Sequence, residues 1–330
     1  MKHTIAIDLG GTVIKIGLLK DGQLIDRTEI KAQSASGLKP QLPELEKTID
    51  KMLQANQLSA SEELGIGFSF AGLVDSSKNR ILSTNQKYDD GPDVDLVGWA
   101  MEKWNWPLFA ENDARMALLG EWQCGAGKEY RDLVMMTIGT GIGTGVLING
   151  QLLKGKHFQA GNLGGHFMVN HEGSPCTCGG KGCVEAEAST WRLPSLLKEH
   201  PKFDNSAMKN EEVLDFKALF HHAGNNDLVA KEVLDHCLSV WSAGIITMIH
   251  AFDPEIIIIS GGIMKSASVF LPILQENVNK FAWTPWGKVK LVEARFPDSA
   301  ALYGADYLVR SSADKCKMNS YIENVIKPQL

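Results

Sequence analysis

Short runs in which apolar and polar positions alternate open the chain. Thr4-Ile-Ala-Ile-Asp8-Leu-Gly10-Gly11-Thr12-Val-Ile-Lys15-Ile-Gly-Leu-Leu-Lys-Asp21-Gly22-Gln-Leu24 reads as strand, glycine turn, strand, hairpin turn and strand. Asp21-Gly22 supplies the positive φ that a tight hairpin needs. The same pattern returns at Met135-Met-Thr-Ile138-Gly-Thr140-Gly141-Ile-Gly143-Thr-Gly145-Val-Leu-Ile-Asn149-Gly150-Gln-Leu152. A shift of 128 residues lays Gly11-Thr12 on Gly139-Thr140, Gly17 on Gly145, and Asp21-Gly22 on Asn149-Gly150. Such a repeat implies two lobes of like topology, each opening with a meander whose first turn presents backbone N–H groups outward.

Between the two meanders the apolar period changes to that of a helix around Leu42 to Asn56, then to a strand Leu64–Phe70 ending in Ala71-Gly72. The polar region from Ser76 to Asp95 shows no period beyond loop and short strands. A helix around Leu96 to Trp104 and a short strand Leu108-Phe109-Ala110 follow. Glu111-Asn112-Asp113 ends that strand and caps a helix from Ala114 to Trp122. Beyond residue 187 the pattern predicts helices over Ala188–Lys198, Asp215–Ala223 and Asp227–Ala251. A buried strand Ile256–Ser260 then runs into Gly261-Gly262, and a helix Ala267–Asn279 and a strand Val289–Glu293 lead to an apolar helix, Ala300–Arg310, with small residues on a packing face. The last twenty residues read as an appendage.

Composition narrows the class. At 330 residues the chain exceeds a single core of ordinary size, so two lobes are expected. Its 44% hydrophobic and 22% charged residues are those of a folded globular protein, and 32 glycines in short runs point to backbone approaching ligands. A net charge of −6 gives no basic footprint for nucleic acid. Met1 leads directly into a strand, without a signal peptide, and no apolar run approaches the roughly 18 residues of a membrane span. These features predict a cytoplasmic enzyme or binding protein that engages neither nucleic acid nor membrane.

The most concentrated chemistry lies in His166 followed by Cys176-Thr-Cys178-Gly-Gly-Lys-Gly-Cys183-Val-Glu185. One histidine and three cysteines within eighteen residues, with glycines at 179, 180 and 182, predict a knuckle that closes four ligands around a structural Zn²⁺. The spacing His-x9-Cys-x-Cys-x4-Cys is not that of a DNA-binding finger, and the other cysteines, 124, 237 and 316, are scattered. Glu185 and Glu187, beside the last ligand, are placed to hold a polar ligand.

This spacing, with the glycine turns, resembles the signature of the ROK family of repressors, open reading frames and sugar kinases, over roughly residues 4 to 310. The resemblance implies an α/β, two-lobed actin-like ATPase (ribonuclease H-like) fold with duplicated lobes and the zinc knuckle at 166–183. The first lobe would run over 1–111, completed by about 300–330, and the second over 112–299. Three turns would cradle Mg-ATP: Asp8, Gly10, Gly11, Thr12 and Lys15; Thr140, Gly141 and Gly143; and Gly261 with Gly262 over the adenosine. No Walker loop or dinucleotide fingerprint competes, so NAD is not expected.

The family's Glu-Asn-Asp-Ala element matches Glu111 to Ala114, making Asp113 the general base and Asn112 a sugar ligand. Asp113 as a mere helix cap is the competing reading. His166 and Glu185 carry over as sugar ligands, His166 also ligating zinc; Gly72 matches a loop beside the sugar, or is an ordinary turn glycine. The family usually places a Glu three residues before the His, whereas this chain has Gly161-Asn162-Leu163-Gly164-Gly165-His166. Either Leu163 stands at that position, or a Gly is inserted and Asn162 replaces the Glu. The expected function is ATP-dependent phosphorylation of a hexose, the lobes closing to exclude water, in a protein that resemblance makes a homodimer. The rivals are a sugar-responsive regulator, for whose helix-turn-helix a first strand at Ile5 leaves no room, and a sugar-binding protein without catalysis. Trp191, Trp283, Trp286, His221 and His222 have no partners at ligand spacing and are expected in packing or at the surface.

Overall fold

The opening meander is formed by β1 (His3–Leu9), β2 (Val13–Lys20) and β3 (Gln23–Lys31) in a computed structural model that describes residues 3–59 and 64–321. β1 pairs antiparallel with β2 and parallel with β4 (Leu64–Phe70), and β4 pairs parallel with β7 (Leu108–Asn112). With neighbours on both sides, β1 and β4 are buried almost throughout, as central strands are. β3, at the edge, alternates exposed and half-buried positions. α1 (Leu42–Ala55) buries Leu45, Ile49 and Met52 on one face. The polar region after it contains the small hairpin β5 (Leu73–Asp75) and β6 (Arg80–Ser83), followed by α2 (Leu96–Trp104) and, after β7, α3 (Asp113–Cys124).

The second meander is β8 (Leu133–Ile138), β9 (Ile142–Ile148) and β10 (Gln151–Leu152); β11 (Ile256–Ser260) and β12 (Lys290–Glu293) complete its sheet. The strand orders are β3-β2-β1-β4-β7 and β10-β9-β8-β11-β12, with matching directions, so the sequence repeat is a repeat of topology. Both hairpins close through left-handed residues, Asp21 (φ 49°) with Gly22 (φ 84°) and Asn149 (φ 53°) with Gly150 (φ 72°).

Two units result. The first comprises Met1–Lys128, Gly155–Phe158 and Asp298–Leu330; the second comprises Glu129–Lys154 and Gln159–Pro297. The sequence ends the first lobe at 111, whereas α3 also belongs to the first unit. Its close packing on α9 (Ala300–Tyr321) is the reason: a Cβ on Gly120 would strike Ala300 O, and one on Gly304 would strike Met116 O. α9 is anchored further by Thr4, whose hydroxyl donates to Asp306 at 2.8 Å.

In the second unit α4 (Val184–Ala188), α5 (Leu193–Glu199), α6 (Phe216–Gly224), α7 (Leu228–Phe252) and α8 (Ala267–Phe281) surround a core that includes Trp241, Phe270 and the strand Ile256–Ser260. Two expectations are corrected. The helix expected over 188–198 begins only at Leu193, after α4 has ended at Ala188, because Thr190 and Trp191 between them turn their N–H groups to the carbonyls of Gly139 and Thr140. The presumed appendage is helical as far as Tyr321, and residues 322–330 lie outside the described residues. α7 is long and apolar enough to cross a membrane by length and composition, contrary to the sequence reading, but most of its apolar stretch is buried inside the protein, as in a core helix.

Candidate functional site

In the first unit, β1 delivers Asp8 to the start of a turn at which Gly10 N–H bonds back to Asp8 O at 3.2 Å. A Cβ on Gly10 would press on Val13 O, so glycine is required by the close approach. Asp8 lies beside Ser69 of β4, its register partner, whose hydroxyl donates to Asp8 Oδ1 at 2.8 Å; Lys15 Nζ is 4.0 Å from Oδ2. Burial holds the Asp8 carboxyl above its ordinary range, and Lys15, Ser69 and Arg27 oppose that shift. Thr12 is exposed at the turn.

Asn112 and Asp113 sit where β7 meets α3. The helix cap is Asn112, not Asp113: Asn112 Oδ1 accepts from Arg115 N–H at 3.2 Å, while its amide donates to Gly72 O at 3.1 Å and to Asp113 Oδ1 at 2.9 Å. Gly72 thus orients Asn112 through its carbonyl, and a Cβ there would collide with Ser83 O. Asp113 Oδ1 also accepts from Ala114 N–H at 2.8 Å, and Oδ2 has no hydrogen-bond partner among the described residues. Burial first, and the Asp8 charge second, push the Asp113 carboxyl up to about 6; the Ala114 and Asn112 hydrogen bonds and the charge of Lys87 oppose them. A carboxylate with one open oxygen and a pKa near neutrality is equipped to take a proton.

In the second unit one network links the remaining candidates. Gly139 N–H bonds to Gly141 O at 3.0 Å, and Glu185 Oε2 accepts from Ile142 N–H at 2.8 Å, close against Gly141. Trp191 donates its indole N–H to Glu185 Oε1 at 3.4 Å. Just beyond Gly143, the Thr144 hydroxyl donates to Gly161 O at 2.9 Å and accepts from Gly164 N–H at 2.8 Å, which seats the loop carrying Asn162. Asn162 is 7% exposed, and its Oδ1 is buried without a hydrogen-bond partner among the described residues. Leu163 is half-buried. Gly261 (φ 104°) backs onto Ile138 O at the end of β8, whereas Cβ atoms on Gly139 or Gly262 would meet nothing within 4 Å. These two turns therefore leave their backbone open to a ligand.

His166, Cys176, Cys178 and Cys183 come together with their ligand atoms all within 4.8 Å of one another. Cys178 Sγ lies 3.7 Å from Cys183 Sγ, and His166 Nδ1 lies 3.5 Å from Cys176 Sγ. A tetrahedron built on zinc–sulfur bonds of about 2.3 Å and a zinc–nitrogen bond of about 2.0 Å has edges of about 3.8 and about 3.5 Å. The cluster is consistent with a zinc site. Gly179 (φ 87°) and Gly182 (φ 62°) make the fold of the loop possible, Gly182 lying hard against Asn170 O. Glu187 is buried and accepts from Ser174 N–H at 2.6 Å, so it braces the metal loop rather than facing a ligand.

Sequence reasoning missed Ser69, Thr144 and Lys87, and it expected Trp191 in packing or at the surface rather than on Glu185. Ser69 and Thr144 act through strand register and turn closure, which only pairing reveals. Trp191 reaches Glu185 because the helix breaks before it. Trp283 and Trp286 are 77% and 58% exposed, His222 pairs with Glu211 at 2.7 Å, and His221 bonds to Asn225 at 3.2 Å.

Comparison with known proteins adds to this geometry. Residues 4–312 match the model of the ROK family. The chain is 30% identical to a glucokinase of Halalkalibacterium halodurans over 84% of this chain and 86% of that protein. It is 28% identical to the xylose repressor of Bacillus subtilis over 74% of this chain and 61% of the repressor. The crystal structure of a ROK hexokinase from Thermus thermophilus superposes with a TM-score of 0.74 at 26% identity, covering 92% of this chain and 96% of the other.

Proposed function

The chain belongs to the ROK family, and on that premise we propose that it is an ATP-dependent sugar kinase that transfers the γ-phosphoryl group to a hydroxyl of a hexose or hexose derivative. The observation that carries this reading is Asp113: it is not the helix cap, one of its oxygens is open, and its carboxyl titrates at about 6 beside the glycine turn that begins at Asp8. A sugar hydroxyl is a poor nucleophile until a base accepts its proton, and a base near the operating pH does so best. The glucokinase relative supports the same reading.

In this account backbone N–H groups of the turns at 10–12, 139–143 and 261–262 take ATP. Asn112, Asn162, Glu185, the open nitrogen of His166 and the Gly72 turn hold the sugar. Zn²⁺ would be held by His166, Cys176, Cys178 and Cys183 and would fix the His166 ring; Mg²⁺, arriving with ATP, would neutralise phosphate charge, and Asp8 is the residue to face it. Asn112 orients the base, and Asp113 Oδ2 receives the hydroxyl proton as the phosphoryl group moves. By its kinship the protein would work in the cytoplasm as a homodimer. A sugar-responsive regulator is the second reading, favoured by the xylose repressor relative. ADP release in the presence of Mg-ATP, measured across hexoses and amino sugars, tests the proposal. Sugar-dependent ADP with a matching sugar phosphate supports it, and sugar binding without turnover favours the second reading.

A further inference from the structure

The loop between β6 and α2 folds over the first glycine turn. Buried Tyr88 donates its phenol O–H to Gly10 O at 2.9 Å and its N–H to Ser34 O at 2.7 Å, and Ser34 in turn donates its hydroxyl to Gly11 O at 2.8 Å. Beside Tyr88, Lys87 lies directly on the turn. A Cβ built on Gly11 would be 2.7 Å from Lys87 Nζ and 2.8 Å from Cε, so the absent side chain of Gly11 is what admits the lysine. Both neighbours of Lys87 are held in the left-handed region, Gln86 at φ 57° and Tyr88 at φ 54°. Side chains with a Cβ adopt that conformation reluctantly, and it persists where surrounding contacts impose it, often at functional sites. The ammonium group so positioned is half-buried and has no hydrogen bond, and no ion pair within 4.0 Å, among the described residues. Its charge reaches Asp113.

We infer that Lys87 is a further catalytic residue, its ammonium group binding the γ-phosphoryl of ATP over the Gly10-Gly11 turn and holding the charge of that group during transfer. This rests on the kinase reading. In that reading the turn is where phosphate meets backbone, and the ammonium on it lies near enough to Asp113 for its charge to act on that carboxyl. In the step itself the hydroxyl oxygen bonds to Pγ, the bond from Pγ to the bridging oxygen of the β-phosphate breaks with its electron pair leaving on ADP, and the hydroxyl proton passes to Asp113. Lys87 keeps its protons and donates to the non-bridging oxygens, over which the charge is spread. It also favours the ionised form of Asp113. The charged groups acting on that carboxyl are Asp8, which disfavours ionisation, and Lys87, which with the Asn112 amide and Ala114 N–H favours it.

Wild type, Lys87→Met, Lys87→Gln and Lys87→Arg distinguish this from a supporting role. Absence of sugar-dependent ADP release in wild type would refute the kinase reading itself and leave the inference without its basis. With wild type active, the Met and Gln variants should lose about 100-fold in kcat and Arg should stay within about tenfold, the scale on which a preorganised donor to transition-state charge acts. The acid limb of kcat against pH should move to higher pH in Met and Gln. By calorimetry with Mg²⁺, the two neutral variants should bind AMP-PNP about tenfold more weakly and ADP within about twofold of wild type, a loss of about 1.4 kcal/mol confined to the γ-phosphate. Loss of folding in one neutral variant leaves the other to be read. Turnover near the wild-type rate in a folded neutral variant, or equal weakening of ADP and AMP-PNP, overturns the inference.

Discussion

Asp113 carries a cost that its proposed task explains. Burial and the neighbouring Asp8 charge raise its pKa from 3.8 to about 6, so the folded chain favours the protonated carboxyl. Its contribution to stability is full below pH 3.8 and is lost as the pH rises through about 6, above which the native state holds a buried charge. Asp113→Asn is therefore expected to raise the melting temperature at pH 7.5 and to leave it little changed at pH 4, as thermal unfolding at the two pH values will show. An equal shift at both would assign the effect to packing. Activity runs the other way: kcat of the wild type should fall below a limb near pH 6 as the base is protonated. Asn162 poses a question of the same kind, since its buried Oδ1 awaits a donor. A Glu at this place would accept from two sugar hydroxyls, whereas an amide accepts with one atom and donates with the other. The wild type should accordingly favour a sugar that presents a donor to Oδ1 and an acceptor to the amide N–H, such as an acetamido group, over glucose. Asn162→Glu should improve kcat/KM for glucose by about tenfold or more, since a buried group without its partner costs on the order of 1–3 kcal/mol. A wild type that already prefers glucose, with no gain in the variant, would show that the loop reaches the sugar otherwise.

At the scale of elements, the period of the sequence located most strands and helices because their burial is one-sided or complete. Strand Leu64–Phe70 and helix Leu96–Trp104 fall where their apolar spacing puts them. The break at 189–192 was not legible, because the residues there satisfy their N–H groups on a turn fifty residues earlier in the chain. Lys87 was illegible for a related reason: it lies in a polar stretch without period, and its position depends on Gln86 and Tyr88 accepting positive φ. The His/Cys cluster, by contrast, could be picked out as a candidate metal site, since its four residues lie in one short segment and glycines at 179 and 182 supply the left-handed turns. Glu187 ties that segment to α4 through Ser174 N–H. Purified protein should contain one zinc per chain, and Cys178→Ser should lose both the metal and sugar affinity. Glu187→Ala should weaken zinc retention against a chelator by about 10- to 100-fold, with Glu187→Gln milder. Substoichiometric zinc, or unchanged sugar binding in Cys178→Ser, would contradict this part of the account.

For the molecule as a whole, duplication of one sheet topology is the organising fact, and it was visible as a shift of 128 residues. The copies have diverged in chemistry. The first strand of the first meander carries Asp8 near its end, whose counterpart at that shift is Met136, and the first unit alone supplies Asp113 and Lys87; the second supplies the His/Cys cluster and Glu185. That the chain returns to the first lobe by about 300–330 followed from the family resemblance and not from spacing, because α9 packs on β1 with Thr4 and Asp306 302 residues apart. The central claim is that this divided chemistry phosphorylates a sugar with Asp113 as base. It is tested most directly by Mg-ATP-dependent release of ADP with the best sugar of a panel, in wild type and in Asp113→Asn, with sugar affinity measured alongside. The account predicts sugar-dependent turnover in wild type, its abolition in the variant, and sugar affinity within about tenfold, because the amide keeps most hydrogen bonds but cannot take a proton. Turnover in Asp113→Asn near the wild-type rate would contradict it.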